Sequence, residues 1–233
     1  MIVKIIKICY NIYMKNIKAV LFDMDGVLLD TESVCKICWK RAADEINLKN
    51  IDKIFMECVG RSRADTMLHL QKYLPSEEAA TKFRERAGEF FDIVWHEEGL
   101  KKMPYVAECL ERLKNAGFRL AVASSTRAVR VHPQLKAAGI FDYFETITTG
   151  DMVSHSKPDP EIYLKAAGSL KLGVDECLSI EDSPNGVRSS VAAKIKCIMV
   201  PDLIQPDEEM RQKAWKILKN LKETADFLCG DEY

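Results

Sequence analysis

The feature that most constrains the fold is an alternation of short apolar runs with helix-like stretches in the second half of the chain. Apolar runs at residues 118–123, 144–148, 177–180 and 195–200 are separated by stretches of helical periodicity. An earlier apolar run covers residues 17–22. A helix between two strands carries the chain back across the sheet, so that the strands run parallel. We therefore predict an α/β fold with a doubly wound parallel sheet.

A long segment without strand-like patterns lies between the first strand and this alternation. Residues 31–99 carry several amphipathic helical patterns. We predict that they form an α-helical cap inserted into an α/β core of residues 1–30 and 100–233. Residues 30–32 and 99–104 connect the two parts and are the expected hinges.

Polar side chains follow three of the predicted strands. In parallel sheets of this kind the ligand binds outside the carboxyl ends of the strands. Two acids follow the first strand, two serines the second and two acids the fourth: Asp23, Asp25, Ser124, Ser125, Glu181 and Asp182. We expect these residues to line one crevice.

Charge and cysteine content exclude several classes of function. The chain has 34 basic and 35 acidic residues, which gives a net charge of −1 and no basic excess for binding nucleic acid. Cys35 and Cys38 form a C-x-x-C pair, but no second pair or histidine lies near them to complete a zinc site. The scattered cysteines are expected to be free thiols in a reducing cytoplasm.

The two ends of the chain carry weaker signals. Residues 1–13 are apolar but interrupted by Lys4 and Lys7, too short and too charged to span a membrane. We expect them to be an upstream extension, with Met14 as the natural start. The residues from Pro206 onward are predicted to be helical.

The pair Asp23 and Asp25 suits phosphoryl transfer. An aspartate can act as a covalent nucleophile that accepts a phosphoryl group. A second acid two residues further on can serve as general acid and then as base for water. Gly26 would let backbone amides approach a phosphate closely.

The other strand ends can supply the remaining parts of this chemistry. Glu181 and Asp182 can hold Mg²⁺, which prefers oxygen ligands and shields a phosphate from a negative nucleophile. Ser124 offers a hydroxyl to a phosphoryl oxygen, beside the amides of the following helix start. Lys157 can neutralise charge as it builds. Each feature alone is weak, because acids and serines after strands often cap helices; their joint order is specific.

These four motifs resemble those of the haloacid dehalogenase superfamily of phosphotransferases. The resemblance covers about residues 15–201, most of the chain. It is strongest to the branch with a helical cap after the first strand, which includes β-phosphoglucomutase and sugar-phosphate phosphatases. The matching residues are Asp23-Met24-Asp25-Gly26-Val27, Ser124, Lys157 and Glu181-Asp182.

The resemblance implies a Rossmann-like core, an aspartyl-phosphate intermediate on Asp23 and acid–base catalysis by Asp25. It also implies that Mg²⁺ is held by the Asp23 side chain, the Asp25 backbone carbonyl and Asp182, with Glu181 nearby. Arg63 falls where β-phosphoglucomutase has a phosphate-binding arginine. Ser125 is a further candidate for binding the phosphate.

One departure from the family pattern bears on the reaction. Cys35 stands where the mutase-like pattern has a histidine. A mutase must suppress attack by water until its intermediate turns over in the site, and losing the histidine favours plain hydrolysis.

The sequence therefore predicts a Mg²⁺-dependent phosphatase of a small phosphorylated metabolite, a sugar phosphate, acting as a monomer without nucleic acid or membrane partners. One alternative is a hexose-phosphate mutase of the β-phosphoglucomutase type. Another is a non-catalytic sugar-phosphate binding protein, which would need the phosphate-holding residues but not both aspartates. A dehalogenase is disfavoured because a haloacid substrate requires no metal.

Overall fold

Strands and helices alternate along most of the chain, which a computed structural model describes for residues 16–60 and 63–230. The strands are β1 (Ala19–Phe22), β2 (Arg119–Ala123), β3 (Thr146–Thr148), β4 (Cys177–Glu181), β5 (Lys196–Met199) and β6 (Lys216–Ile217). The helices are α1 (Thr31–Glu45), α2 (Ile51–Cys58), α3 (Arg63–Leu70), α4 (Glu77–Glu98), α5 (Val106–Asn115), α6 (Ala128–Ala137), α7 (Glu161–Ser169), α8 (Pro184–Ala192), α9 (Glu208–Lys213) and α10 (Leu221–Cys229). The expected extension at residues 1–13 and the expected start at Met14 lie outside the described residues.

The six strands form one parallel sheet in the order β3-β2-β1-β4-β5-β6. β1 is central, with Val20 opposite Leu120 on one side and Leu178 on the other. The strand order reverses direction at β1, and such switch points are where ligands bind in open α/β sheets.

The side chains of β1 alternate between two apolar cores, one on each face of the sheet. Val20 and Phe22 pack in a cluster with residues of α5, α6 and α10. Ala19 and Leu21 pack in a second cluster with residues of α7. All four side chains are fully buried. Helices therefore cover both faces, which confirms the predicted doubly wound α/β sheet.

The segment from α1 to α4 has an apolar core of its own. The ring of Trp39 on α1 lies edge-on to Phe55 of α2 and to Phe83 of α4, with both centroid distances 5.4 Å. Leu70 of α3 is fully buried in the same cluster. Edge-to-face aromatic contacts of this kind stabilise a core beyond the area that they bury.

Two chain connections join these helices to the sheet, and they are hydrogen-bonded to each other. The Asp30 amide donates to the Lys101 carbonyl at 2.9 Å, and the Met103 amide donates to the Leu28 carbonyl at 3.0 Å. The two predicted hinges therefore lie side by side.

Two further contacts hold the helical segment against the core. The Asn185 side-chain amide donates to the Gly60 carbonyl at 2.7 Å, which ties the loop before α3 to the start of α8. Arg130 of α6 pairs with Asp92 of α4 at 2.9 Å. The helices thus cover the carboxyl ends of the strands.

The prediction of a helical C-terminal region from Pro206 is wrong in part. A sixth strand, β6, interrupts the helices, with Ile217 opposite Met199 of β5. Its flanks also pair with β5, since the Trp215 amide donates to the Cys197 carbonyl at 2.8 Å. A two-residue strand leaves no periodic pattern in the sequence, because its stability comes from the sheet edge beside it.

The described cysteines are free thiols, seven in all. None of the helices between residues 16 and 230 that the structure describes has the length and apolarity needed to cross a membrane.

Candidate active site

The carboxyl ends of β1, β2 and β4 meet in one crevice, as the sequence predicts for this sheet. The Asp23 amide donates to the Ile180 carbonyl at 3.0 Å, and the Ser124 amide donates to the Thr148 carbonyl at 3.0 Å. Asp23 and Ser124 are buried, and so are Lys157, Glu181 and Asp182. The strand-end residues are therefore held by the sheet itself.

Lys157 contacts two of the buried acids of the site. Its ammonium donates to Asp23 Oδ1 at 2.5 Å, to Glu181 Oε1 at 2.6 Å and to the Ala123 carbonyl at 2.9 Å. These three bonds use all three N–H donors of a lysine. The structure thus places Lys157 against the predicted nucleophile and fixes its orientation.

One carboxylate oxygen of Glu181 accepts two hydrogen bonds, and the other accepts none from the described residues. Lys157 and the hydroxyl of Tyr163 both donate to Oε1. Oε2 is buried without a hydrogen-bond partner among the described residues. Tyr163 lies on α7 and is fully buried. The sequence analysis did not identify Tyr163, because an aromatic residue on an amphipathic helix is normally interpreted as a residue of the hydrophobic core.

The site holds more acidic groups than basic groups. Burial, opposed by Lys157 and reinforced by Glu181 and Asp25, raises the pKa of Asp23 from 3.8 to about 8. Burial, together with Asp23, Glu32 and Glu181, raises the pKa of Asp182 well above its ordinary value. Burial alone would lower the pKa of Lys157, but the carboxylates of Asp23 and Glu181 raise it instead. One ammonium does not balance this cluster of acids.

The carboxylates fit a divalent cation. Asp23, Glu181 and Asp182 each offer an oxygen, and the three oxygens lie within 4.8 Å of one another. Two glycines leave room for them: a Cβ on Gly26 would lie 2.4 Å from Asp182 Oδ2, and one on Gly186 would lie 1.9 Å from Glu181 Oε2. An all-oxygen, acid-rich donor set with one bare buried oxygen suits Mg²⁺.

Asp25 is held apart from this cluster by hydroxyl groups. The Thr126 hydroxyl donates to Asp25 Oδ2 at 2.8 Å, and the Ser124 hydroxyl donates to the same oxygen at 3.3 Å. The Thr126 amide in turn donates to Ser124 Oγ at 3.0 Å. Asp25 is half-buried and faces the crevice. Thr126 was missed, although the run Ser124-Ser125-Thr126 offered the signal of a third hydroxyl after β2.

Two other predicted residues lie outside the hydrogen-bonded cluster. Ser125 is exposed, and its carbonyl lies so close to Gly150 that a Cβ there would be 2.0 Å away. Arg63 begins α3, just after the loop that Asn185 anchors, and its side chain is exposed. Their predicted phosphate-binding roles stay predictions.

Cys35 lies on α1 beside Asp25. Burial first, and the charge of Asp25 second, raise the pKa of the Cys35 thiol from 9.0 to about 12. At neutral pH the thiol is therefore uncharged.

Comparison with known proteins identifies relatives of this chain. A family model described as haloacid dehalogenase-like hydrolase matches residues 20–200. The phosphorylated carbohydrates phosphatase of Thermotoga maritima is 32% identical over 181 residues, which cover 78% of this chain and 83% of that protein. The beta-phosphoglucomutase of Bacillus subtilis is 28% identical, covering 76% of this chain and 80% of that protein.

A solved structure shares the whole fold. The crystal structure of CbbY from Rhodobacter sphaeroides in complex with xylulose-1,5-bisphosphate superposes with a TM-score of 0.71 and 25% identity. The match covers 89% of this chain and 96% of the other.

Proposed function

The chain belongs to the haloacid dehalogenase-like hydrolase family, and on that premise we propose that it is a Mg²⁺-dependent phosphatase of a small phosphomonoester, with Asp23 as the nucleophile. Its family and its named phosphatase relative identify it as an enzyme. The alternative of a non-catalytic sugar-phosphate binding protein is therefore set aside.

The observation that carries the proposal is the contact of Lys157 with Asp23. The ammonium lies 2.5 Å from Asp23 Oδ1 at the bottom of the crevice. It keeps the carboxyl group oriented and offsets part of the effect of burial on its ionisation. An anchored carboxylate in a crevice at the strand ends is what in-line attack on a phosphorus requires.

Two displacements at phosphorus make up the reaction. A carboxylate oxygen of Asp23 attacks the phosphorus, the bond to the ester oxygen breaks, and Asp25 gives its proton to the leaving oxygen. Asp25 then takes a proton from water, whose oxygen attacks the phosphorus of the aspartyl phosphate, and the bond between phosphorus and the Asp23 oxygen breaks. Inorganic phosphate leaves, and Asp23 and Asp25 return to their starting states.

The residues proposed to hold Mg²⁺ are Asp23, Glu181 and Asp182, with the Asp25 backbone carbonyl. When bound, the cation would neutralise the transferring phosphoryl group as a Lewis acid. The chain's own contribution is a buried set of carboxylates whose unbalanced charge favours a divalent cation.

The phosphate is proposed to lie between Lys157 and Ser124. Ser124 Oγ lies beside Asp25 Oδ2, and the loop after it leads into α6. The exposed Ser125 lies on the same loop, and its backbone amide is proposed to bind the phosphate. Arg63 is proposed to reach the substrate from the helical segment.

The helices between residues 31 and 98 are proposed to act as a cap that closes over the substrate. Their own apolar core and the two adjacent connections support a movement as one body. Closure would exclude bulk water from the crevice while one water is admitted for the second displacement.

Hydrolysis is proposed over mutase chemistry because of Cys35. Its neutral thiol offers Asp25 no charged partner that would suppress proton transfer from the attacking water to Asp25. A sugar phosphate is the proposed substrate, since the Thermotoga maritima relative is named for phosphorylated carbohydrates. The free thiols of the described residues support a reducing compartment such as the cytoplasm.

The test is release of inorganic phosphate from a panel of sugar and nucleotide monophosphates, with Mg²⁺ and with a chelator. We expect turnover that needs Mg²⁺ and that Asp23→Asn abolishes while its thermal unfolding stays cooperative. Undiminished turnover by Asp23→Asn would contradict the proposed mechanism. With β-glucose 1-phosphate as substrate, glucose 6-phosphate as the product would identify a mutase instead.

A further inference from the structure

The buried hydroxyl of Ser189 contacts the loop that carries Lys157. Ser189 lies in the second half of α8 and is fully buried. Its Oγ donates to the carbonyl of Asp159 at 2.6 Å. Asp159 follows Lys157 by two residues, with Pro158 between them. A side chain of α8 therefore reaches the backbone just beyond the lysine that contacts the proposed nucleophile.

The other hydrogen bonds of this loop, residues 154–160, are local. The carboxylate of Glu161, at the start of α7, accepts from the amides of Ser154 and His155 at 2.9 Å each. Among the residues that the structure describes, Ser189 supplies the one hydrogen bond that joins the backbone of this loop to a segment other than α7. The place of the loop on the core therefore depends on that hydroxyl and on the bonds of the lysine itself.

The position of the Lys157 ammonium depends in turn on the loop. Burial of an ammonium costs free energy unless its hydrogen bonds to carboxylates are kept. The ammonium is bonded to Asp23 and to Glu181, and both bonds require the loop to stay close to the strand ends. Release of the Asp159 carbonyl would let the loop move outward and the ammonium leave Asp23.

The helix that carries Ser189 also follows two of the proposed metal ligands. α8 begins directly after Glu181 and Asp182, and the Ser183 side chain caps it by accepting from the Gly186 amide at 3.2 Å. One helix thus begins beside the acids and contacts the lysine loop from its second half. The hydroxyl therefore keeps the proposed cation site and the ammonium at a fixed spacing.

We propose that Ser189 is a positioning residue for phosphoryl transfer that acts through Lys157. Its hydroxyl keeps the ammonium against Asp23, so that the nucleophile is oriented and the transferring phosphoryl group meets a fixed positive charge. This inference rests on the proposed phosphatase function. It assigns to Ser189 a part in the rate of the chemical step and none in recognition of the rest of the substrate.

The competing explanation is that Ser189 only stabilises the packing of α8. Ser190, the next residue, is a matched control for that role, since it is also fully buried. Its Oγ lies 2.6 Å from Ser179 Oγ and donates to the Ile195 carbonyl at 3.1 Å. None of these partners belongs to the lysine loop. Loss of either hydroxyl should cost stability, but only loss of the first should affect Lys157.

The experiment compares Ser189→Ala and Ser190→Ala with the wild type. Ser189→Cys, which keeps a weak donor of similar size, is the intermediate variant. Steady-state kinetics in Mg²⁺ on the best substrate of the panel give kcat and KM separately. Inhibition by orthovanadate in Mg²⁺ reports on binding of a mimic of the transferring phosphoryl group. Brief acetylation with acetic anhydride, followed by peptide mass spectrometry, measures the protection of the Lys157 amine and needs no turnover.

We expect Ser189→Ala to lower kcat about 10-fold and to weaken vanadate inhibition by a similar factor, with KM changed less than about threefold, because the hydroxyl orients groups that act in the transition state. Acetylation of Lys157 should be about three- to tenfold faster in this variant, with Ser189→Cys between it and the wild type. Ser190→Ala should match the wild type in kcat, KM, vanadate inhibition and acetylation.

An unchanged kcat or unchanged protection of Lys157 in Ser189→Ala would overturn the inference, and so would equal losses in Ser190→Ala. Absence of phosphate release by the wild type across the whole panel would count against the phosphatase. In that case the acetylation of Lys157 would still decide whether Ser189 holds the lysine in place.

Discussion

The hydroxyl of Thr126 donates a hydrogen bond of 2.8 Å to Oδ2 of Asp25. The two residues are 101 positions apart in the chain and follow neighbouring strands of the sheet. The bond holds the carboxylate proposed for proton transfer at the side of the crevice, away from the ion pair of Asp23. Ser124 contributes a longer bond of 3.3 Å to the same oxygen.

Replacement of Thr126 should therefore impair proton transfer more than substrate binding. We expect Thr126→Val to lower kcat about 10-fold or more with little change in KM, because positioned acid–base catalysis contributes about 10²- to 10⁴-fold. Thr126→Ser keeps the hydroxyl and should retain most of the activity. Initial-rate kinetics across substrate concentration would decide, and a selective rise in KM for Thr126→Val would contradict the positioning role.

The bond from Tyr163 to Glu181 should control the affinity for Mg²⁺. Loss of the hydroxyl in Tyr163→Phe leaves Glu181 held by Lys157 alone, and supports of this kind are worth about 10- to 100-fold in metal affinity. Titration calorimetry with Mg²⁺ gives the dissociation constant directly. Tyr73→Phe is the matched control, because Tyr73 donates to Glu57 at 2.8 Å on the surface of the helical segment. An unchanged Mg²⁺ affinity in Tyr163→Phe would refute the prediction.

Two helical glycines should respond to alanine in opposite directions. A Cβ on Gly186 would lie 1.9 Å from Glu181 Oε2, whereas nothing lies within 4 Å of a Cβ on Gly168. We expect Gly186→Ala to destabilise the fold by about 1–3 kcal/mol and to weaken Mg²⁺ binding. Gly168→Ala should stabilise it by about 0.5–1 kcal/mol through helix propensity. Urea unfolding of both variants measures the two effects. Equal stabilities of the two variants would show that the Glu181 side chain moves aside for the new Cβ, and would contradict the prediction.

Glu32, near the start of α1, should make the protein less stable as the pH rises. Burial, with Asp202, Asp25 and Asp30, raises its pKa from 4.5 to about 7. The folded state thus holds a proton that the unfolded state releases, and the resulting stability is lost between about pH 4.5 and pH 7.

Glu32→Gln removes this titration. The variant should gain of order 2 kcal/mol over the wild type on going from pH 5 to pH 8. Thermal unfolding in chelator at both pH values measures the difference, in which the titration of Asp23 is shared and cancels. Loss of the Glu32 charge also lowers the pKa of Asp182, which adds to the gain of the variant. A gap that stays constant with pH would contradict the prediction.

Much of the site was predictable because the sheet places it. Asp23, Ser124 and Glu181 each follow an apolar run, and parallel strands bring their carboxyl ends to one edge. Lys157 was predicted as a phosphate neutraliser from its motif, but its contact with Glu181 was not. That contact depends on the path of the loop before α7, which no local pattern encodes.

The residues that the sequence analysis did not identify donate hydrogen bonds to the acidic side chains of the site. Thr126 and Tyr163 carry ordinary hydroxyls, and their roles exist only because the fold brings them to Asp25 and Glu181. Strand β6 was missed for a related reason, since its two residues are extended only beside β5.

The sequence by itself determined the order of strands and helices and the acids that follow them, because hydrophobic periodicity and residue chemistry are local properties. Only the tertiary structure decided which of the carboxylate oxygens are hydrogen-bonded and which have no partner among the described residues. Those outcomes depend on distances between elements far apart in the chain, which packing sets and no single segment contains.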